Sequence, residues 1–98
     1  MASHQREISV QQRRPLVSIG IPVYNGERSI KQALEALRAQ TYDNLELVIS
    51  DNASTDSTGE ICRQYEAQDR RIKYFRNPVN VGLYENFRRV VTLATGEY

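Results

Sequence analysis

The sequence predicts an α/β fold, a parallel sheet whose strands alternate with helices along the chain. Two observations carry this. Runs of β-branched and apolar residues begin near Val17, Leu45 and Ile72, 28 and 27 residues apart, close to the ~30 residues of one strand–helix–strand unit. Between them lie stretches whose apolar residues recur at helical spacing. Strands joined by single helical crossovers run parallel, and the crossovers are right-handed.

Residues 1–15 hold three arginines, several glutamines and serines, and only Ile8 and Val10 as large apolar members. This composition predicts a flexible polar tail ending at Pro15, with a domain occupying 16–98. The first strand, over 16–21, reads as one buried on both faces. Pro22 has no N–H for a ladder, so pairing is expected to fail near 22–24. Ile30, Ala33, Leu34 and Leu37 follow at i, i+3, i+4 and i+7, which predicts a helix over about 27–40. The second strand covers 45–50, and the polar loop after it is rich in capping residues. Ser57 with Glu60 fits a capping box, with Ser54 and Thr55 as alternative caps, for a helix running to about Gln68 that buries Ile61, Cys62 and Tyr65. A short third strand spans 72–75. Leu83, Phe87, Val90, Val91 and Ala94 then predict a third helix, capped by Asn80 and stopped by Gly96. One more interval places a fourth strand near residue 99, so Gly96-Glu97-Tyr98 reads as the lead-in to a strand and the chain as part of something longer.

Composition narrows the function. The 98 residues carry a formal charge of +1, with 40% hydrophobic and 26% charged residues, as in an ordinary globular domain. The tail holds much of the positive charge, so the body offers no footprint for nucleic acid. Neither a membrane span nor a secretory signal is apparent, which points to a cytoplasmic protein. One cysteine, Cys62, gives no internal disulfide and no multi-cysteine metal site.

In a parallel sheet every strand ends on one rim, where ligands of open α/β sheets bind. Three loops meet there, 22–26, 51–56 and 76–82. They contain neither G-x-G-x-x-G nor a P-loop. A phosphorelay receiver would need acidic residues directly after the first strand, and none precedes Glu27. The only histidine, His4, lies in the tail, and no G-x-S-x-G elbow is present. What remains is a base-and-ribose site, with Tyr24 stacking a base and Asp51 accepting hydrogen bonds from a base N–H or a ribose hydroxyl. Tyr24 and Asp51 are therefore expected in one cleft. Competing structural readings stand beside these. Asp51 can orient the following turn, Tyr24 can be packing, and Asn25 and Asn80 can be turn or cap residues. Cys62, Tyr42 and Tyr74 read as packing, and the arginine pairs 70–71 and 88–89 as solvated surface.

Five segments in register carry a resemblance. They are Val17-Ser18-Ile19-Gly20-Ile21-Pro22-Val23-Tyr24-Asn25, Gln40-Thr41-Tyr42, the run 45–56 with its Ser50-Asp51-Asn52-Ala53-Ser54-Thr55-Asp56 end, Asn80-Val81-Gly82, and Ala94-Thr95-Gly96-Glu97-Tyr98. Together they resemble the opening of a family 2 glycosyltransferase. The resemblance implies a Rossmann-like sheet of order 3-2-1, the truncated N-terminal half of an A-type glycosyltransferase domain, with the first strand as an exposed edge. It implies a nucleoside-diphosphate-sugar donor, a saccharide or lipid-linked acceptor, inversion at the anomeric carbon, and a divalent cation (Mg or Mn) for the full-length protein that this segment alone does not bind. It also allows a place at the cytoplasmic face of a membrane through other parts of the chain.

The nucleotide-binding residues it implies are Pro22, Val23, Tyr24, Asn25, Asp51, Asn52, Ser54, Asn80 and Gly82. No catalytic or metal-binding residue falls in the segment, because the family's D-x-D motif follows the fourth strand and its catalytic base lies further on. Where many relatives carry an arginine before the asparagine of the third helix, this chain has Glu85 before Asn86. The expectation is a chain inactive alone. A non-catalytic nucleotide-binding module, or a structural fragment self-associating through the exposed strand 17–21, is the alternative.

Overall fold

A computed structural model describes residues 15–96. The tail expected over 1–15 therefore lies, but for Pro15, outside the described residues, as do Glu97 and Tyr98 of the expected lead-in. Six elements alternate: β1 (Val17–Val23), α1 (Glu27–Arg38), β2 (Leu45–Asp51), α2 (Thr58–Gln68), β3 (Ile72–Arg76) and α3 (Leu83–Leu93). The strands form one parallel sheet in the order β1-β2-β3, the expected order read from the other edge.

Strand periodicity divides the central strand between two environments. Leu45, Leu47 and Ile49 join Ile30 and Leu34 of α1, Cys62 and Tyr65 of α2, and Ile72 in one apolar core. Burial, helped by the nearby Asp51 charge, pushes the Cys62 thiol up to about 12, so it behaves as a small hydrophobe. The alternate residues Glu46, Val48 and Ser50 are as deeply buried, and on their side Ser50 meets Asn86 of α3.

Several expectations are corrected here. The edge strand β1 is only half-buried apart from Ser18, not covered on both faces; full burial belongs to β2. Pairing also continues through Pro22↔Ser50 and Val23↔Asp51. The Val17 N–H donates to Asn44 and the Val23 carbonyl accepts from Asn52. Alternation then turns the Pro22 nitrogen to the outer edge, where a missing donor costs nothing. No capping box forms at α2. Ser57 makes no side-chain cap bond; instead Asp56 accepts from the Thr58 N–H, and Glu27 accepts from the Ser57 N–H. Ile61 is half-buried where burial was expected.

The third helix shows the largest departure. Asn86 and Val90 face the sheet, whereas Leu83 (83%), Phe87 (56%) and Val91 (48%) are exposed. Periodicity identified the apolar stripe but not what lies against it. Asn80 does not cap the helix with its side chain: Gly82 holds the cap position, at φ 89°, a left-handed value that suits glycine. After α3 the chain returns to the outer side of β1, where the Gly96 N–H donates to Ser18 Oγ at 2.8 Å. A side chain at 96 would run into the Leu16 carbonyl. No helix of the described residues is long and apolar enough to cross a membrane.

Candidate functional site

The three rim loops are tied together by short polar side chains, and the ties fall into two networks on opposite faces of the sheet. The first centres on Asp51, which is fully buried. Its Oδ1 accepts from the Ser54 N–H at 2.9 Å and from the Ser54 hydroxyl. Its Oδ2 accepts from the Tyr74 hydroxyl and, at 3.4 Å, from Arg76. Arg76 also donates to the Ser54 carbonyl at 2.9 Å. Burial, together with the bond to the Asp51 carboxylate, pushes the Tyr74 hydroxyl up to about 12, so it remains a donor. Ser54 Oγ in turn receives the Asn25 N–H at 2.8 Å, and Asn25 Oδ1 accepts the Thr55 N–H at 2.8 Å. Asn25 (φ 49°) and Ala53 (φ 61°) both adopt left-handed backbone. Asparagine tolerates this readily, but alanine does so at a cost.

The second network is built from amides. Asn52 Nδ2 donates to Asn80 Oδ1 at 2.9 Å and to the Gly82 carbonyl at 3.2 Å. Asn52 Oδ1 accepts from Asn77 Nδ2 at 3.0 Å and from the Val81 N–H at 2.9 Å. Asn77 Nδ2 also reaches Asn86 Oδ1, which accepts the Ser50 hydroxyl as well, while Asn86 Nδ2 donates to the Ser50 carbonyl. Among the described residues no buried side-chain nitrogen or oxygen lacks a partner.

Above the amide network lies a cleft of about 250 Å³ lined by Pro22, Val23, Tyr24, Asn52, Asn80, Leu83 and Asn86. Tyr24 stands 51% exposed. The cleft thus combines an apolar wall, an available ring and an amide at the loop before α3, an arrangement suited to a flat polar ligand.

The sequence-derived residues divide accordingly. Pro22, Val23, Tyr24, Asn52 and Asn80 line the cleft; Asn25, Asp51, Ser54 and Gly82 brace its walls. Tyr24 and Asp51 are neighbours on the rim, because Val23 pairs with Asp51. Their side chains do not share the cleft, since the Asp51 carboxylate is consumed on the opposite face of the sheet. Sequence reasoning did not find Ser50, Arg76, Asn77 or Asn86 as site residues. Asn86 carried a signal, a polar residue at i−4 from the buried Val90.

No three His, Cys, Asp or Glu side chains among the described residues are grouped to hold a metal ion.

The model of the family described as glycosyl transferase family 2 matches residues 18–98. Glycosyltransferase GlyG of Streptococcus pneumoniae is 32% identical over 83 residues, which are 85% of this chain and 28% of that protein. Abequosyltransferase RfbV of Salmonella typhimurium is 41% identical over 86 residues, 85% of this chain and 26% of RfbV. This chain thus spans about a quarter of the length of these relatives. Among solved structures, the mannosyltransferase PcManGT from Pyrobaculum calidifontis, in complex with GDP-Man and Mn2+, superposes with a TM-score of 0.76 at 28% identity, over 85% of this chain and 25% of that one. With the parallel sheet and its rim cleft already established, the match over 18–98 means that the chain belongs to glycosyl transferase family 2.

Proposed function

We propose that this chain supplies the base-and-ribose part of the donor site of a glycosyltransferase that uses a nucleoside-diphosphate sugar. The observation that carries the reading is the cleft between Tyr24 and Asn80, on the carboxyl rim of a family 2 sheet. The GDP-Man in the related mannosyltransferase supports the donor class. Tyr24 stacks the base, Pro22 and Val23 exclude water from beneath it, and Asn80 directs amide donors at oxygen atoms of the ligand.

In this reading the reaction is a direct displacement. An acceptor hydroxyl, on a saccharide or a lipid-linked saccharide, loses its proton to a base and forms a bond to the anomeric carbon. The bond from that carbon to the diphosphate oxygen breaks, with inversion. On the same reading, the base and the groups that would hold a divalent cation belong to parts of the protein other than the described residues. The cation, when bound, neutralises charge on the leaving diphosphate.

Asp51 enters as a contact to base or ribose only if a ligand donor replaces Tyr74 on Oδ2. One variant separates that role from bracing. Tyr74→Phe frees an acceptor and leaves or tightens nucleotide affinity if Asp51 contacts the ligand, whereas affinity falls if the Tyr74 bond only holds the rim.

The experiment is calorimetric titration of the full chain with UDP and GDP in the presence of manganese, followed by the same titration of Tyr24→Ala. Stacking is worth ~1–3 kcal/mol, so the variant should lose that much for whichever nucleotide binds. Failure of both nucleotides to bind the unaltered protein overturns the reading. Binding without any sugar transfer by the full protein would leave the non-catalytic module, or a fragment associating through β1.

A further inference from the structure

Asn52 lines the cleft, yet its amide has nothing left to offer a ligand. A primary amide carries two N–H donors and a carbonyl oxygen with two lone pairs. All four are used: Nδ2 on Asn80 Oδ1 and the Gly82 carbonyl, Oδ1 on Asn77 Nδ2 and the Val81 N–H. Two of these partners are backbone groups of fixed polarity. The Val81 N–H can only donate and the Gly82 carbonyl can only accept, so the Asn52 amide has one permitted orientation.

That orientation propagates. Asn52 Nδ2 demands an acceptor, and so does the Gly82 N–H, which reaches the same Asn80 Oδ1 at 2.8 Å. With its carbonyl oxygen held inward by two donors, Asn80 is left with its N–H groups for the cleft. Beneath, Asn77 and Asn86 fix Asn52 from the sheet side, through the 3.0 Å bonds of Asn77 Nδ2 to both Asn52 Oδ1 and Asn86 Oδ1.

We propose that Asn52 is a positioning residue that sets the polarity of Asn80, so that this wall of the cleft presents donors and recognises an acceptor-bearing group such as a phosphate, ribose or base-carbonyl oxygen. The inference rests on the donor-site reading for the identity of the ligand, but the geometry of Asn80 is independent of it. Asn52→Asp is the discriminating substitution. It keeps an oxygen for the Val81 N–H and removes both donors, placing an anionic oxygen against Asn80 Oδ1 and the Gly82 carbonyl. Asn80 then relaxes by turning its N–H groups inward, which exposes its oxygen to the ligand and releases the Gly82 N–H.

The test is a double-mutant cycle read by titration of the full chain with UDP and GDP, combined with amide hydrogen exchange without nucleotide. Loss of one hydrogen bond with reversal of its polarity predicts that Asn52→Asp weakens the nucleotide that binds by about tenfold or more. In an Asn80→Ala background the same substitution should change affinity by less than about twofold, because its effect passes through Asn80. A merely structural role would give equal losses in both backgrounds, and that result overturns the proposal. Exchange gives the independent reading: in Asn52→Asp the Gly82 amide should exchange faster while the Ile61 amide, bonded to the Ser57 carbonyl at the start of α2, does not change. Unaltered protection at Gly82 overturns the proposal even if no nucleotide binds, and a failure of nucleotide binding alone removes only the donor-site reading.

Discussion

The two faces of β2 are equally buried and built from opposite chemistry. Toward α1 and α2 lie Leu45, Leu47 and Ile49, in a core closed by Ile30, Leu34, Cys62 and Tyr65. Toward α3 lie Glu46, Val48 and Ser50, where a carboxylate and a hydroxyl are buried with every polar atom bonded. Glu46 receives Ser18 Oγ at 2.6 Å, Lys73 Nζ at 2.8 Å and the Thr95 N–H at 2.6 Å. Ser50 and Asn86 exchange bonds with each other. The apolar face gains stability from area removed from water and is indifferent to direction. The polar face gains little net energy per bond but fixes orientation, because each buried donor must meet its acceptor. The difference teaches that the rim cleft is held in register by the face that contributes less to stability.

The contrast can be broken most severely on the apolar face. Leu47→Ala removes a fully buried side chain and should cost about 2–5 kcal/mol in urea unfolding. A loss no larger than that of Val48→Ala would mean that the two faces do not differ as described.

The next effect belongs to Glu46. Burial pushes its carboxyl up, but the bonds from Lys73, Ser18 and Thr95 outweigh burial and hold it down to about 2, against an ordinary 4.5. A folded value below the unfolded one means that the stabilisation is complete above about pH 4.5. It is lost as pH falls toward 2, to a total on the order of 3 kcal/mol. Glu46→Gln should flatten that part of the acid-unfolding curve, and an unchanged curve would remove Glu46 as its cause. Smaller still is Asp51→Ala, which should weaken nucleotide binding by ~1.5–3 kcal/mol if the carboxylate contacts the ligand. Measured beside Tyr74→Phe, it sharpens the assignment of Asp51 as contact or brace. Least of all is Ala53→Gly, at the join of the two faces. Relief of the left-handed backbone should exceed the added unfolded-state freedom by ~0.5 kcal/mol, visible as a small rise in Tm. A fall in Tm would show that the turn carries no strain.

Much of this fold was legible in the sequence because its signals are local. The interval between β-branched runs gave the alternation, and Ile30, Leu34 and Leu37 gave α1 to within two residues of its end. The rim loops were legible for the same reason, and five of the nine expected residues line the cleft. The rest depended on distant partners. Glu46 in Leu-Glu-Leu looks like an outward residue of an alternating strand, and its bond to Thr95 spans 49 residues. Asn77 and Asn86 look like a loop and a helix-surface residue until β2 is placed beneath them. Asp51 was read as a ligand because its type and place suit one. Nothing local announces that Tyr74 and Arg76 already occupy its Oδ2.

The Asn52, Asn77, Asn80 and Asn86 amides, with the Ser50 hydroxyl, contain no group that titrates between mild acid and mild base, and no net charge for counterions to screen. The loop they hold should thus keep one shape across buffers of very different ionic strength. Any pH or salt dependence of ligand binding then reports on the ligand and on charged groups elsewhere in the molecule, not on a rearrangement of this loop.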